Sequence, residues 1–223
     1  MGQQPKTPYE RALEAHGGAI VLSVQNLAIH GQSTRGGKPQ PVTISASLDG
    51  KLRVDYGKPV VQTEVFTAGG NFSVNSGAKR WKAPHAGAYA QLDLLSIFGV
   101  LHLAAAPQQS ALEPAVVAGR TSDRVKAVTG RSKLVYRREI KDEADVVFDR
   151  ETGLIAAISR QQFADESLDL SFQLTTTFSD YRPEGGMALP HKIVRFVDGQ
   201  AIEEITVESV EINPAFEREF FGK

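Results

Sequence analysis

The sequence predicts a mainly β protein with a few helices, of the α+β class, built on an antiparallel sheet. Two stretches alternate between apolar and polar residues, VTISASLDGKLRVDY at 42–56 and LDLSFQLTTTF at 168–178. This period of two is typical of strands with one buried and one solvated face. Glycine turns separate further stretches of this kind. We expect residues 7–223 to form one domain, preceded by a disordered tail at 1–6.

An N-terminal helix is predicted over Pro8–His16. Thr7 is a suitable cap, and Glu10 stands where its side chain completes a capping box. Gly17-Gly18 is a typical helix end. The apolar stripe that would dock this helix is narrow and consists of Tyr9, Ala12, Leu13 and Ala15.

The first alternating stretch predicts a hairpin around Asp49-Gly50. A two-residue loop would place the apolar faces of the two strands out of register. A three-residue loop, Leu48-Asp49-Gly50, with Gly50 in the left-handed conformation, pairs Ala46 with Leu52 and Ile44 with Val54. This register gives one apolar face, and we prefer it.

The remaining strands follow the same pattern from Asn26 onward. Turns are predicted at DRETGL (149–154), EGGM (184–187) and DGQ (198–200), and Pro107–Arg120 is predicted to be a loop. Asn213 and Pro214 predict a short C-terminal helix whose phenylalanines, Phe216, Phe220 and Phe221, pack on the sheet. The other predicted strands are Val60–Thr67, Val125–Thr129, Leu134–Ile140, Val146–Asp149, Leu154–Gln161, Ile193–Val197 and Ile202–Ile212.

One apolar segment, Ala90–Ala106, has the length of a helix and is apolar on most sides, so it should be a buried helix. A membrane span needs about 20 apolar residues, and Asp93 and His102 interrupt this shorter run. The segment is the available cover for the apolar face of the sheet. Both a tightly packed core and a ligand-sized hollow between them are compatible with the pattern.

Composition argues against several classes of function. Lys plus Arg (25) nearly balance Asp plus Glu (26), so a basic nucleic-acid surface is not expected. The chain has no cysteine, which excludes disulfides and thiol chemistry. HGQSTRGGKP at 30–39 does not satisfy the phosphate-loop pattern and predicts a hairpin loop.

No catalytic or metal-binding pattern is present, so we expect neither enzymatic activity nor a cofactor or metal. The histidines lack metal-site spacing, and no nucleophile elbow occurs. His16 lies near a helix end, and His102 is the only histidine expected to be buried, as a hydrogen-bonded core residue. A solvated strand face is the simpler interpretation of the acidic residues Glu203, Glu204, Glu208 and Glu211.

The C-terminal stretch FSDYRPEGGMALPHKIVRFVDGQAIEEITVESVEINPAFEREFF resembles the second half of LolA-like envelope proteins, the bacterial lipoprotein-carrier superfamily. The pattern is a strand, an Asp180-Tyr181 turn, Gly186, Leu189-Pro190, a glycine turn at Gly199, and a long strand reaching Asn213 through Phe220. ALEAHGG, FDRETGLIAAISR and FTAGGNFSVNSGAKRW, which ends at Trp81, resemble other parts of the same family.

This resemblance implies a half-open antiparallel β-barrel with helices covering the concave face. It also implies a non-enzymatic periplasmic carrier that holds a lipid or a lipoprotein acyl chain between sheet and helices. The polar start MGQQPKTP contains no signal peptide and looks like a chain that begins downstream of a removed leader. The ligand-contacting residues expected from the apolar face are Ile44, Leu52, Val54, Leu95, Phe98, Leu101, Phe148, Leu170, Phe172, Leu174 and Phe178.

The alternative function is a protein-interaction or envelope-stress sensor module on the same scaffold, with an envelope protein as its partner. Exposed loops or a sheet edge would then form the binding surface. The arginine that helps to hold the lid closed in the classical carrier has no assignable position in this sequence.

Overall fold

The computed structural model describes residues 6–66, 72–77, 79–83, 108–117, 119–135, 138–164 and 167–222. Within these residues, the protein forms one open antiparallel sheet of 13 strands. The strands are β1 Asn26–Arg35, β2 Lys38–Ser47, β3 Lys51–Tyr56, β4 Gln62–Phe66, β5 Phe72–Ser76, β6 Lys79–Ala83, β7 Gln108–Val117, β8 Arg120–Val135, β9 Arg138–Asp149, β10 Ile155–Ala164, β11 Ser167–Glu184, β12 Met187–Val197 and β13 Gln200–Ile212.

Two meanders meet at the centre of the sheet. The strand order runs from β6 down to β1, then from β13 down to β7, so β1 pairs with β13 and brings both ends of the chain together. Strands β6 and β7 stand at opposite ends of this order, and the sheet is not closed. This architecture confirms the mainly β class and is consistent with a half-open barrel. The expected cover, Ala90–Ala106 with His102, lies outside the described residues.

The N-terminal helix α1, Pro8–Ala15, forms as predicted. Thr7 and Glu10 make the capping box, in which the Glu10 backbone N–H donates to Thr7 Oγ1 over 3.2 Å and the Thr7 N–H donates to Glu10 Oε2 over 2.7 Å. Ala12 is fully buried, and a 3₁₀ turn at Gly18–Ser23 follows. The Ala188 N–H donates to the His16 carbonyl over 3.2 Å, so the end of the helix lies beside the start of β12.

The predicted hairpin register is confirmed. Ala46 pairs with Leu52 and Ile44 with Val54, and the Gly50 N–H donates to the Ser47 carbonyl over 2.9 Å. Gly50 has a φ of 92°, the left-handed conformation that the three-residue loop requires. The HGQSTRGGKP stretch is also a hairpin, since β1 and β2 flank a turn at 36–37.

Two strand predictions were wrong in the second meander. The stretch predicted as a loop, Pro107–Arg120, contains β7, which is a sheet edge and tolerates Pro114 beside a register shift between Leu112 and Ala115. The single strand predicted at Leu134–Ile140 is two, because β8 ends at Val135 and β9 starts at Arg138. The turns at 149–154, 184–187 and 198–200 are confirmed.

The C-terminal region differs from the prediction in two places. Asp180 adopts a φ of 52° but does not reverse the chain, because β11 continues in register through Tyr181 opposite Pro190. No helix forms at Pro214. Instead, Asn213 Oδ1 accepts the N–H groups of Gln25 (2.7 Å) and Asn26 (3.2 Å), so it ties the chain end to the start of β1.

The terminal phenylalanines pack on the sheet as expected, without the helix. Phe216 and Phe220 stack with ring centroids 4.8 Å apart, and Phe221 meets both rings edge to face at 5.1 Å. Arg53 on β3 holds this cluster, because its guanidinium lies 4.8 Å from the Phe220 ring centroid and donates to the Phe220 carbonyl.

Candidate functional site

The candidate site is the face of the sheet that carries the hydrophobic core, which we call the core face. Near α1 this face is a closed apolar cluster that includes Ala12 of the helix. Each of the predicted ligand-contacting residues in it is at most 5% exposed. They come from both meanders and are Ile44, Leu52, Val54, Phe148 and Phe178.

Two predicted residues lie further along the core face, outside that cluster. Alternate residues of β11 share the core face. Going from Phe178 toward the start of the strand, these residues are Thr176, Leu174 and Phe172. Leu174 is 4% exposed, whereas Phe172 is only half-buried. Among the predicted residues whose side chains the structure describes, Phe172 is thus the one with surface left for a contact.

The other predicted contacts have no described position. Leu95, Phe98 and Leu101 lie outside the described residues, and so does the side chain of Leu170, although its backbone belongs to β11. The expectation that Phe172 faces Leu95 or Phe98 therefore stays a prediction.

A buried polar cluster occupies the core face beside Leu174, and we call it the Glu203 cluster. Glu203 is 2% exposed, and its Oε1 accepts from Ser33 Oγ (2.7 Å) and from the Tyr56 hydroxyl (3.1 Å). Arg35 Nε lies 3.4 Å from the same oxygen. Arg195, opposite Glu203 in the β12–β13 register, donates to Oε2 over 3.1 Å.

A second carboxylate extends the cluster on β4. Glu64 Oε1 accepts from Arg35 Nη1 and from Gln62 Nε2, both over 2.9 Å. The Arg35 guanidinium also lies 4.6 Å from the Tyr56 ring centroid. The cluster therefore joins two guanidinium groups and two carboxylates across five strands of both meanders.

The phenol of Tyr56 stays protonated in this environment. Burial, followed by the charges of Glu64 and Glu203, raises the pKa of Tyr56 far above its ordinary value. Burial acts to lower the pKa of Arg35, but neighbouring Tyr56, Glu64 and Glu203 outweigh it and raise that pKa. Tyr56 is consequently a hydrogen-bond donor, and Arg35 is a permanent cation.

Four buried side-chain atoms lack a hydrogen-bond partner within the described ranges, and two of them are cross-strand neighbours on the core face. These two are Thr176 Oγ1 and Arg195 Nε, both inaccessible to solvent. Thr176 and Arg195 are direct neighbours across β11 and β12. Arg160 on β10, 6% exposed, belongs to the same face, since it pairs directly with Leu174.

The solvated-face interpretation of the acidic residues was wrong for Glu203. Glu204, Glu208 and Glu211 are exposed, but Glu203 is in phase with the buried Ile205 and Val207. The alternation of β13 contained this signal, because counting back by twos from Val207 places position 203 inside.

The expectation for the histidines was also wrong. His16 and His191 are at most 2% exposed, so His102 is not the only candidate for burial. His16 Nδ1 lies 3.0 Å from the Ala188 carbonyl, and the Ile155 N–H donates to its Nε2 over 3.3 Å. Burial lowers the pKa of His16 to about 4, so the ring is neutral and joins α1 to β10 and β12.

Within the described residues, no group of three or more His, Asp or Glu side chains has an arrangement that could hold a metal ion. Nor does that part of the chain contain a helix long and apolar enough to cross a membrane.

Comparison by sequence finds no relative, since no protein-family model matches the chain and no curated protein does. Comparison of structures does find similar folds. A domain from Vibrio parahaemolyticus named for outer membrane lipoprotein sorting superposes with a TM-score of 0.55 at 8% identity, covering 88% of this chain and 89% of the other.

Two further solved structures agree over nearly the whole chain. A LolA superfamily protein from Nitrosomonas europaea gives a TM-score of 0.57 at 6% identity, covering 97% of this chain and 96% of its own. A DUF1329 family protein from Desulfovibrio piger gives 0.57 at 11% identity, with coverage of 96% and 95%. The chain therefore has a LolA-like fold.

Proposed function

We propose that this protein is a non-enzymatic carrier in the bacterial envelope that binds a lipid or a lipoprotein acyl chain on the core face. The shared fold supports this proposal, because one neighbour of matching length is named for outer membrane lipoprotein sorting. Fold likeness alone does not specify function. The proposal therefore depends on what the core face offers to a ligand.

The observation that carries the proposal is the change in packing along β11. Phe178 is 5% exposed inside the apolar cluster, but Phe172, on the same face of the same strand, is half-buried. A large aromatic side chain that keeps free surface next to buried Leu174 is a suitable contact for an acyl chain.

The two phenylalanines provide a matched experiment. Phe178→Ala removes a side chain from a closed core, so it should cost about 3–5 kcal/mol in the free energy of unfolding. Phe172→Ala should cost less, because some of its packing contacts are already missing. It should also weaken the binding of a fluorescent fatty acid, whereas Phe178→Ala, if folded, should bind it like the wild type.

The measurements are urea denaturation followed by circular dichroism, and fluorescence titration with the fatty acid. Organic extraction of the purified protein and mass spectrometry would identify lipid that copurifies. If the wild type binds no apolar probe and Phe172→Ala loses as much stability as Phe178→Ala, the carrier proposal is wrong. The protein-interaction module would then be the better hypothesis.

A further inference from the structure

We propose, on the basis of the carrier function above, that the Glu203 cluster recognises the carbonyl group at the head of the bound acyl chain, as in an ester or an amide. The ligand would thus be a neutral acyl derivative rather than a free acid. Its tail would lie along Phe172 and Leu174, and its carbonyl oxygen would contact Thr176 and Arg195.

The unpartnered polar atoms define what kind of group the site requires. Arg195 Nε–H can only donate a hydrogen bond, and the Thr176 hydroxyl is able to donate one. Leaving such groups buried without a partner is unfavourable. Because Thr176 and Arg195 are cross-strand neighbours, one oxygen with two lone pairs is able to accept from both.

The charges of the cluster favour a neutral acceptor. Arg35 and Arg195 are matched by Glu64 and Glu203, with N–O distances of 2.9 to 3.4 Å. Arg160 is engaged in an interaction of its own. A carboxylate or phosphate brought into this cluster would lie near two buried carboxylates, and both Arg35 and Arg195 already have a carboxylate partner. A carbonyl oxygen adds no net charge.

The position of the cluster fits the head of an acyl chain. Leu174 lies two residues from Thr176 on the core face and is 4% exposed, and Phe172 follows it at the same spacing. An apolar track therefore leads directly to the two unpartnered atoms. Toward α1, the closed apolar cluster begins at Phe178.

Three probes of equal chain length test the inference: a pyrene-labelled fatty acid methyl ester, the corresponding alkane and the corresponding free acid. Fluorescence titration should show that the wild type binds the ester about tenfold more tightly than the alkane, which is the effect of one net hydrogen bond. The free acid should bind more weakly than the ester.

Two variants separate recognition from folding. Thr176→Val has nearly the same shape and removes a buried hydroxyl without a partner, so the melting temperature should be unchanged or higher while the preference for the ester falls to about twofold or less. Arg195→Lys keeps a cation opposite Glu203 but removes the Nε–H donor, and it should reduce the preference in the same way. Thr177→Val, on the opposite face of β11, is the control and should bind like the wild type.

The outcomes distinguish the two proposals. If no probe binds, the carrier function is wrong and this inference fails with it. If ester and alkane bind equally well to the wild type, the carrier stands and the inference is wrong, because the two atoms then make no hydrogen bond to the ligand. Tighter binding of the free acid than of the ester would also overturn it, since the site would select an anion.

Discussion

Buried His16 predicts that the protein loses stability in mildly acidic solution through one identifiable side chain. Its ring is 0% exposed, and the Ile155 N–H donates to Nε2, which requires the lone pair of a neutral imidazole. Protonation would remove that acceptor and place a cation in the core. The folded state therefore resists protonation that the unfolded chain accepts.

The magnitude follows from the change in pKa. Burial lowers the pKa of His16 from 6.5 to about 4, and each unit corresponds to about 1.4 kcal/mol. The unfolded state binds the proton more tightly, so the stabilisation is complete above about pH 6.5 and is lost as the pH falls. The loss is about 2 kcal/mol at pH 5 and about 3 kcal/mol at pH 4.

The assay is urea denaturation between pH 7.5 and pH 4.5 for the wild type and for His16→Gln. The variant should be less stable at pH 7.5, because it loses the edge contact with Tyr181, whose ring centroid lies 5.4 Å away. Its stability should then fall less steeply with pH than that of the wild type, by about 2 kcal/mol at pH 5. His30→Gln, at a side chain 39% exposed, is the control. Parallel curves for wild type and His16→Gln would refute the reasoning.

Three further predictions concern stability measured by the same denaturation assay. Gly31→Ala should cost about 1–3 kcal/mol, because a Cβ at this position would clash with the Thr206 carbonyl oxygen in the β1–β13 pair. An unchanged denaturation midpoint would show that the two strands separate easily. Gly50→Val should be more costly than Gly50→Ala, since a φ of 92° is worst for a β-branched residue, and equal effects would contradict this hairpin geometry. Glu203→Gln should cost about 3–5 kcal/mol, because Arg35 and Arg195 lose their shared carboxylate. The control Glu204→Gln, at an exposed position, should change the free energy of unfolding by less than about 0.5 kcal/mol. Similar losses for both variants would mean that the Glu203 cluster contributes little to stability.

Much of the sheet could be predicted because its cause is local. The register of the β2–β3 hairpin follows from the apolar period and from the need for a left-handed residue at Gly50. The capping box at Thr7 is equally local, since its partners are three residues apart. The loop predicted at 107–120 was wrong because an edge strand such as β7 need not alternate cleanly, so its pattern lacked the periodic signal.

Contacts between distant parts of the chain were not accessible from the sequence. Asn213 has the sequence context of a helix cap. The pairing of β1 with β13 instead brings it to Gln25 and Asn26, whose backbone N–H groups donate to its side-chain oxygen. His16 is buried for a similar reason, because Ala188 and Ile155 approach it from strands more than a hundred residues away. Sequence spacing alone gave no means of anticipating these partners.

The polar residues of the core face are the strongest argument that this face has a role beyond packing. Position 203 is in phase with Ile205 and Val207, and a leucine there would continue the apolar pattern of β13. A buried ion pair is often no more stabilising than apolar residues of similar volume, since its charges lose hydration.

Thr176 interrupts the run from Leu174 to Phe178 in the same way and keeps a hydroxyl without a partner in the described residues. Departures from the local pattern that reduce stability are expected where a protein binds something, and these two are on neighbouring parts of one face, beside half-buried Phe172. The proposed contact with a ligand would account for both positions together.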